Sequence, residues 1–453
     1  MRTLCWDERE SGSVDFGKEF WFVESGCRVR ILWVKANKLL PITSGGDIRS
    51  YQIARELSTR HQVTFLSYYG GEVDREYEQE MKRHFPNAEC ISTGGGRGVI
   101  GRGLDYLVRL PKKAPYAVSR FESERVRGRL SACYREGRFD VAVCDFLDAA
   151  VNFPGKLNVP TVLFQHNVES EIWRRHAETN GDVAKKLVYK VEFAKMLRYE
   201  QEMVRKFEHI IAVSEHDRRM MSAWVDADRI TVAPTGVDLR QFRPSAQPAQ
   251  VGSLVTFVGA MDWEPNIDAV EYFCREIWPA VRSSVPSAQF RIVGRNPDRR
   301  VRSLVSESVE VTGSVPSVLD HLRESAVIVV PLRIGGGTRI KIYEAMATGK
   351  AVVSTSVGAE GLDVHHGKDI VLSDAPSSFA DEVSRLLLDA DLRIRYERAA
   401  AELASRYDWS AIGELFAGVL QSVVTGSSAD RALVALGKDA AAGESGLTSR
   451  GVI

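Results

Sequence analysis

The sequence lacks three features that would assign it at once to a class of protein. Lys plus Arg and Asp plus Glu each count 60, so the formal net charge is zero and a general electrostatic affinity for nucleic acid is not indicated. None of the six cysteines lies in a C-x-x-C pair, which predicts a reduced, cytoplasmic chain without a disulfide framework or zinc site. No apolar run reaches the about 18 residues of a membrane-spanning helix.

The two ends of the chain also lack the patterns of folded structure. Residues 1–28 carry Asp7, Glu8, Glu10, Asp15 and Glu24, where a secretory signal would need an apolar run. We interpret them as a flexible N-terminal extension. Residues 425–453 are rich in Ala, Gly and Ser and are predicted to be a disordered tail.

Between these ends, short apolar strands alternate with helical patterns, which is typical of parallel sheets covered on both faces. The first series of predicted strands is Arg28–Ala36, Val63–Tyr69, Val141–Phe146, Thr161–Asn167 and His209–Ser214. After a Pro-containing linker at Ser245–Ser253, the second series is Leu254–Ala260, Gln289–Gly294, Val309–Gly313, Ala326–Leu332, Lys350–Ser356 and Asp369–Ser373. The predicted fold class is α/β, with two Rossmann-like, doubly wound domains. Ligands in such sheets bind at the carboxyl ends of strands, so the site should lie in the cleft between the domains.

The segment from Pro331 to Leu362 is the most informative one. A strand ends at Leu332, Gly335, Gly336 and Gly337 follow, and a helix is predicted from near Thr338 to Gly349. Glycines let backbone N–H groups close upon an anion, and a helix N-terminus adds partial positive charge. Arg339 and Lys341 bring full positive charges to a first turn where the helix dipole disfavours cations unless an anion is present. The segment therefore predicts a diphosphate site.

Glu344 lies about one turn beyond Lys341 and is suited to accept hydrogen bonds from a ribose diol. The alternative is a surface Lys–Glu pair on a helix that follows a flexible loop. The segment is neither a P-loop, because no G-K-[ST] follows, nor a G-x-G-x-x-G motif at a first strand.

With these segments the sequence resembles glycosyltransferase family 4, whose members have the GT-B fold. The resemblance covers roughly Ile31 to Leu420 and is strongest in the second half. It is carried by the glycine segment and by Pro234–Pro244, Phe257–Phe273, Phe290–Pro297, Val311–Val318, Val213–Met221 and Tyr407–Ser410.

The resemblance implies domain boundaries and a type of reaction. The expected divisions are an acceptor-side domain at 29–245, a nucleotide-sugar domain at 246–405, and a C-terminal helix at 406–424 that packs back toward the first domain. It further implies transfer with retention of configuration, by the front-face route, without a metal or other cofactor. The nucleotide sugar is then a substrate.

Two departures from the family pattern stand in the second domain. Glu344 matches the second Glu of the family's E-x7-E motif, whereas Gly336 occupies the position of the first Glu, so backbone amides or another group must contact the transferred sugar. Ala260 stands where the family often has Arg, and the loop after it has no Lys. We infer that Arg339 and Lys341 bind the diphosphate instead, together with the glycines and Thr338.

The first domain supplies the remaining candidates. Gly45 and Gly46 follow the first strand, and in the resembling family this loop faces the donor phosphate and the acceptor. A plain strand-to-helix turn, with Asp47 as the helix N-cap, is the alternative. His166 matches a family His and is predicted to be a catalytic residue that hydrogen bonds to the transferred sugar; a structural role is the alternative.

Three further side chains are candidates for the acceptor side of the cleft, namely Asp145, Asn167 and Glu169. Asp145 has the alternative role of fixing the cleft. No metal ligands are predicted.

Two regions are rich in basic side chains, residues 97–138 and the predicted helix Ala184–Lys206. A basic, partly apolar surface suits peripheral contact with the inner face of a membrane or with a lipid-diphosphate acceptor. Ordinary solvated helix faces account for it as well.

These patterns together predict an enzyme that moves a hexose from a nucleotide sugar to a glycan or a lipid-linked acceptor in cell-surface polysaccharide biosynthesis. One alternative is a nucleotide-sugar epimerase or hydrolase on the same fold. The other is a catalytically inactive, nucleotide-sugar-binding scaffold. The presence of Arg339, Lys341 and Glu344 argues against an inactive scaffold.

Overall fold

Two parallel sheets, each covered by helices, make up the protein in the computed structural model. The structure describes residues 28–42, 44–94, 105–155, 158–179, 182–245, 252–334 and 339–426. Three predicted features lie outside these ranges, namely the N-terminal extension, the tail beyond 426 and the glycine loop at 335–338.

The first sheet has seven parallel strands in the order β3-β2-β1-β4-β5-β6-β7. Its strands are β1 Arg30–Ala36, β2 Gln62–Tyr69, β3 Glu89–Ser92, β4 Val141–Asp145, β5 Thr161–Gln165, β6 His209–Ala212 and β7 Ile230–Val232. The helices that cover it are α1 Gly45–Ser58, α2 Arg75–His84, α3 Tyr116–Ser119, α4 Glu124–Arg135, α5 Glu169–Thr179, α6 Val183–Lys206 and α7 Glu215–Met221. Short 3-10 turns lie at Leu147–Asn152 and Ala227–Arg229.

The second sheet has six parallel strands in the order β10-β9-β8-β11-β12-β13. Its strands are β8 Leu254–Val258, β9 Gln289–Val293, β10 Val309–Gly313, β11 Val327–Val330, β12 Ala351–Ser354 and β13 Val371–Leu372. Its helices are α8 Glu264–Tyr272, α9 Trp278–Ser284, α10 Arg299–Arg302, α11 Val318–Glu324, α12 Ile340–Ala347, α13 Pro376–Leu388 and α14 Ala390–Ala404. A π turn at Phe273–Ile277 and a 3-10 turn at Ser405–Tyr407 complete the set. None of the helices in the described ranges is long and apolar enough to cross a bilayer.

The predicted class, two doubly wound α/β domains, is confirmed. All the predicted strands are present, most of them one to three residues shorter because the residues at their ends belong to loops. Two edge strands, β3 and β7, were not predicted.

The strand order reverses beside β1 in the first sheet and beside β8 in the second. Loops that leave the two sides of such a switch point diverge and open a crevice at the carboxyl edge of the sheet. In the first domain the crevice is formed by the loops after β1 and β4, and in the second by the loops after β8 and β11. The sequence candidates Gly45, Gly46, Arg339 and Lys341 follow these strands.

The last described helix, α15 (Trp409–Thr425), belongs to the core of the first domain although it follows the second domain in the chain. The Phe416 ring lies 5.5 Å from that of Trp33 and 5.1 Å from that of Phe164. Gly413 lets α15 approach α1 closely, since a Cβ there would lie 2.6 Å from the Cβ of Glu56. The helix therefore completes one face of the first sheet.

We predict that Phe416→Ala destabilises the first domain by about 3–5 kcal/mol, because it removes a fully buried ring from this face. Chemical unfolding followed by tryptophan fluorescence measures the change as an earlier midpoint. Leu388→Ala, at a side chain that is 68% exposed in the second domain, is the control. Equal midpoints for the two variants would show that α15 is not part of this core.

Candidate functional site

The crevices of the two domains face each other, so that the beginnings of two helices meet across the cleft. A Cβ placed on Gly45, the first residue of α1, would lie 3.5 Å from the Cδ1 atom of Ile340, the first residue of α12. Each of the two helix N-termini adds partial positive charge to the space between them. This arrangement favours an anion in the cleft.

The turn before α1 differs from the sequence interpretation in one respect. Ser44, not Asp47, is the N-cap, because its hydroxyl accepts a hydrogen bond from the backbone N–H of Asp47. The Asp47 carboxylate accepts a hydrogen bond from the Ser44 hydroxyl and lies 3.5 Å from the Lys35 ammonium. The two side chains together fix where the helix begins.

Gly46 is required by packing as well as by its place in the cleft. A Cβ at this position would lie 2.4 Å from the ring of Phe146, which has a left-handed backbone conformation with φ of 69°. The His166 ring is stacked on the Phe146 ring at a centroid distance of 3.6 Å. Gly46 thus packs directly against the stacked rings of Phe146 and His166. The predicted contact of Gly45 and Gly46 with phosphate stays a prediction.

Asp145 is the centre of a buried hydrogen-bond network beneath this turn. Its carboxylate accepts hydrogen bonds from Trp33 Nε1 at 2.9 Å and from His166 Nε2 at 2.7 Å. Burial alone would raise the pKa of Asp145, but Lys35, His166 and Trp33 outweigh it and lower the pKa to about 2. Asp145 is fully buried, which leaves no surface for the predicted contact with an acceptor and supports the alternative role of fixing the cleft.

His166 uses both ring nitrogens within the protein. Because Nε2 donates to Asp145, Nδ1 is the acceptor of the hydrogen bond from Arg49, at 2.9 Å. Burial, with the nearby charges of Arg49 and Lys35, lowers the pKa of His166 to about 3, so the ring is neutral. A direct hydrogen bond to a sugar, as the sequence predicts, requires that one of these two bonds be exchanged.

Asn167 and Glu169 follow His166 at the carboxyl edge of β5. Their side chains are 3.5 Å apart, and Asn167 borders a pocket between the two domains. Burial raises the pKa of Glu169 to about 8, and the neighbouring Asp148 and Glu200 add to the effect. At neutral pH the Glu169 carboxyl is protonated and offers an O–H donor.

The donor half of the site is formed by the beginning of α12. Lys341 Nζ donates a hydrogen bond to Asn266 Oδ1 at 3.0 Å and lies 4.3 Å from the centroid of the Phe257 ring. Arg339 is buried, and its guanidinium lies 5.8 Å from the centroid of the Trp263 ring. The structure therefore brings Arg339, Lys341 and Glu344 to the same side of the cleft.

The ionisation of this group depends on burial. Burial lowers the pKa of Lys341 to about 7; Arg339 lowers it further, and Glu344 opposes the shift. Burial likewise raises the pKa of Glu344 to about 7, against the effect of Lys341. Strongly shifted pKa values of this kind occur more often at functional sites than elsewhere in a protein.

An ion pair between the domains was not predicted from the sequence. Glu360 lies in the loop that follows β12. Its carboxylate accepts two hydrogen bonds, of 2.8 and 2.9 Å, from the guanidinium of Arg175 on α5. Glu360 also interacts electrostatically with Arg339. Because 185 residues separate the partners, no local pattern could have indicated the pair.

The predicted contacts of Gly335, Gly336, Gly337 and Thr338 lie outside the described residues. Within the described ranges, no three His, Cys, Asp or Glu side chains are placed to hold a metal ion. A reaction without a metal stays a prediction.

Two protein-family models match the chain, one in each domain. The model described as Glycosyltransferase Family 4 matches residues 43–241, and the one described as Glycosyl transferases group 1 matches residues 252–389. The boundary between them falls at the predicted linker.

Two relatives are similar in sequence. The phosphatidyl-myo-inositol mannosyltransferase of Mycobacterium leprae is 30% identical over 234 residues, which are 48% of this chain and 60% of that protein. The chain thus matches less than two thirds of the length of this relative. An uncharacterized 44.6 kDa protein in the cps region of Klebsiella pneumoniae is 20% identical over 375 residues, 78% of this chain and 90% of that protein.

A solved structure is similar over both domains. The crystal structure of Anabaena HepE in complex with UDP and glucose has a TM-score of 0.62 and 15% identity, covering 87% of this chain and 100% of that one. At this identity the likeness establishes the fold alone.

We predict that sulfate stabilises the protein in a manner that depends on pH through Lys341. A bound anion raises the pKa of Lys341 above its value of about 7, so binding takes up a proton and weakens as the pH rises through 7. Saturating sulfate should raise the melting temperature by about 2–4 °C more at pH 6 than at pH 8.5.

Lys341→Met is the matched variant for this measurement, since it should remove the pH dependence and leave the general salt effect. Lys368→Met, at an exposed lysine of the same domain, should behave as the wild type. The same pH dependence in all three proteins would contradict the assignment.

Proposed function

Since the chain belongs to glycosyltransferase family 4, we propose that it transfers a hexose from a nucleotide-sugar donor to a glycan or lipid-linked acceptor, with retention of configuration. Its two facing Rossmann-like domains are the GT-B fold. The activity is proposed for a chain that matches its characterised relatives over part of their length.

One observation carries the proposal, the meeting of two helix N-termini beside a buried cation, Arg339, and a half-buried one, Lys341. The beginnings of α1 and α12 lie against each other at Gly45 and Ile340, with Arg339 and Lys341 next to them. A diphosphate matches this positive space in charge. We infer that Glu344, one turn along α12, accepts hydrogen bonds from the ribose.

The proposed chemistry is mainly electrostatic. As the bond between the anomeric carbon and the phosphate oxygen breaks, the negative charge that develops on the diphosphate is stabilised by Arg339, Lys341 and the helix N-termini. The acceptor oxygen bonds to the anomeric carbon from the same face, and its proton passes to the departing phosphate oxygen. The enclosure of Asp145 suits this front-face route, because the carboxylate is not available as a nucleophile.

Two relatives support a role in the synthesis of cell-surface polysaccharide or glycolipid. The mycobacterial relative is a phosphatidyl-myo-inositol mannosyltransferase, and the Klebsiella relative is from a cps region. A nucleotide-sugar epimerase or hydrolase on this fold would be distinguished by products that form without an acceptor. An inactive scaffold would bind the nucleotide sugar and form no product.

We propose in addition that the first domain contacts an anionic membrane through an apolar surface. The surface consists of the side chains Leu107, Val108, Leu110, Leu187, Val188 and Val191, which are 38% to 73% exposed. Its two segments adjoin, since Lys195 on α6 donates a hydrogen bond to the carbonyl of Leu110. Exposed Lys185 and Lys190 on α6 flank it. Part of the basic region predicted at 97–138 lies outside the described residues.

We predict that one class of nucleotide sugar stabilises the wild-type protein in a thermal-shift panel of UDP-, GDP- and ADP-sugars. Lys341→Ala should weaken its binding by about 10- to 100-fold, because a charge-assisted hydrogen bond to phosphate is lost. Glu344→Ala should weaken binding of the nucleotide, because the ribose loses a hydrogen-bond acceptor. Lys368→Ala serves as the surface control.

If none of the nucleotide sugars stabilises the wild type, or if both variants are stabilised as strongly as the wild type, the donor site is wrongly assigned. With the selected donor and an acceptor, NMR of the anomeric proton in the first product reports whether configuration is retained. Inversion would contradict the front-face route.

For the membrane contact, we predict that Leu187→Asp reduces co-sedimentation with phosphatidylglycerol vesicles by about tenfold, because it places a carboxylate in the apolar surface. Leu388→Asp, at a side chain that is 68% exposed in the second domain, should bind as the wild type does. Unchanged binding by Leu187→Asp would exclude this surface.

A further inference from the structure

The described loop directly after β8, residues 259–263, contains no Lys or Arg, and a lysine from another helix lies beside it. The backbone turns at Gly259, and a Cβ there would lie 2.8 Å from Lys341 Nζ and 2.7 Å from Asn266 Nδ2. Lys341 thus reaches from α12 to the loop where the resembling family often has Arg and this chain has Ala260. The ammonium and the amide lie side by side at the edge of the sheet.

Asn266 is oriented by the backbone so that it can hold this ammonium. Its Nδ2 donates to the carbonyl oxygen of Ala260 at 2.9 Å, which only the NH2 end of the amide can do. The carbonyl end, Oδ1, then faces Lys341 and accepts from Nζ at 3.0 Å. Asn266 is only 3% exposed, so this orientation is also held by packing.

The hydrogen-bond partner of Lys341, the Asn266 amide, is neutral and therefore leaves the positive charge of the ammonium available to a ligand. A carboxylate at the same place would form an ion pair with the ammonium and cancel its charge. The amide and the face of the Phe257 ring fix the position of the ammonium without placing a negative charge in contact with it. Among the described residues, no ion pair to Lys341 within 4.0 Å is present.

We propose that Asn266 is a positioning residue, which holds the Lys341 ammonium at the carboxyl end of β8 for the donor diphosphate without neutralising it. The inference rests on the proposed function, because the diphosphate is the ligand it serves. It adds a residue of the second domain to the donor site and explains how Lys341 substitutes for the missing cation of the β8 loop.

A double-mutant cycle tests the proposal with the nucleoside diphosphate of the donor selected above, measured by titration calorimetry. Asn266→Ala should weaken binding by about 5- to 30-fold, because the ammonium loses its fixed position. In a Lys341→Ala background the same substitution should change the affinity by less than about twofold. If the fold-losses of affinity in the two single variants multiply in the double variant, the two residues act independently and the proposal is overturned.

Asn266→Asp separates positioning from a merely structural role, since it keeps the shape of the side chain and adds a charge. It should weaken binding at least as much as Asn266→Ala, because its carboxylate forms an ion pair with Lys341, while the protein without ligand melts no lower than Asn266→Ala. Ser325→Ala removes a buried hydrogen bond of 2.6 Å between Ser325, just before the amino end of β11, and Thr256 in β8, and should leave binding unchanged.

Wild-type affinity in Asn266→Asp would overturn the proposal while leaving the donor site intact. A wild-type protein that binds none of UDP, GDP and ADP would instead overturn the proposed function, and the positioning role with it.

Discussion

The burial of positive charge beside two helix N-termini is the constraint on which the site depends. Arg339 and Lys341 lie where the dipole of α12 opposes them, and the first turn of α1 adds further positive potential from the other domain. A protein stabilised only by its own contacts would not collect like charges in this way. The arrangement costs stability without a ligand, and an anion bound in the cleft would offset that cost.

The features that the sequence predicted are those set by local pattern and chain order. Apolar runs such as those of β1 and β11 indicate buried strands, and their alternation with helices predicts parallel sheets. The carboxyl ends of parallel strands share one edge, and chain order alone therefore places Gly45 and Lys341 at the cleft. The two series of strands and the linker between them predicted two domains, and resemblance to a family supplied the type of reaction.

The features that the sequence did not predict depend on contacts between distant residues. The short edge strands β3 and β7 have too few apolar residues to form a pattern. The packing of Phe146 against Gly46 and the ion pair of Arg175 with Glu360 join segments that are far apart in the chain. The sequence also did not predict which polar side chains are buried. Asp145 was a candidate for substrate contact, but it is fully buried and instead holds His166 by a hydrogen bond.

The return of α15 to the first domain has a consequence for how such proteins diversify. Because Phe416 and Gly413 pack against Trp33 and Glu56, the helix is matched to the domain that precedes the linker. Recombination at the linker alone would join a helix from one ancestor to a core from another. A viable exchange of the nucleotide-sugar half requires two crossovers, one near residue 250 and one near residue 408, so that the second domain is inherited as an insert within the first.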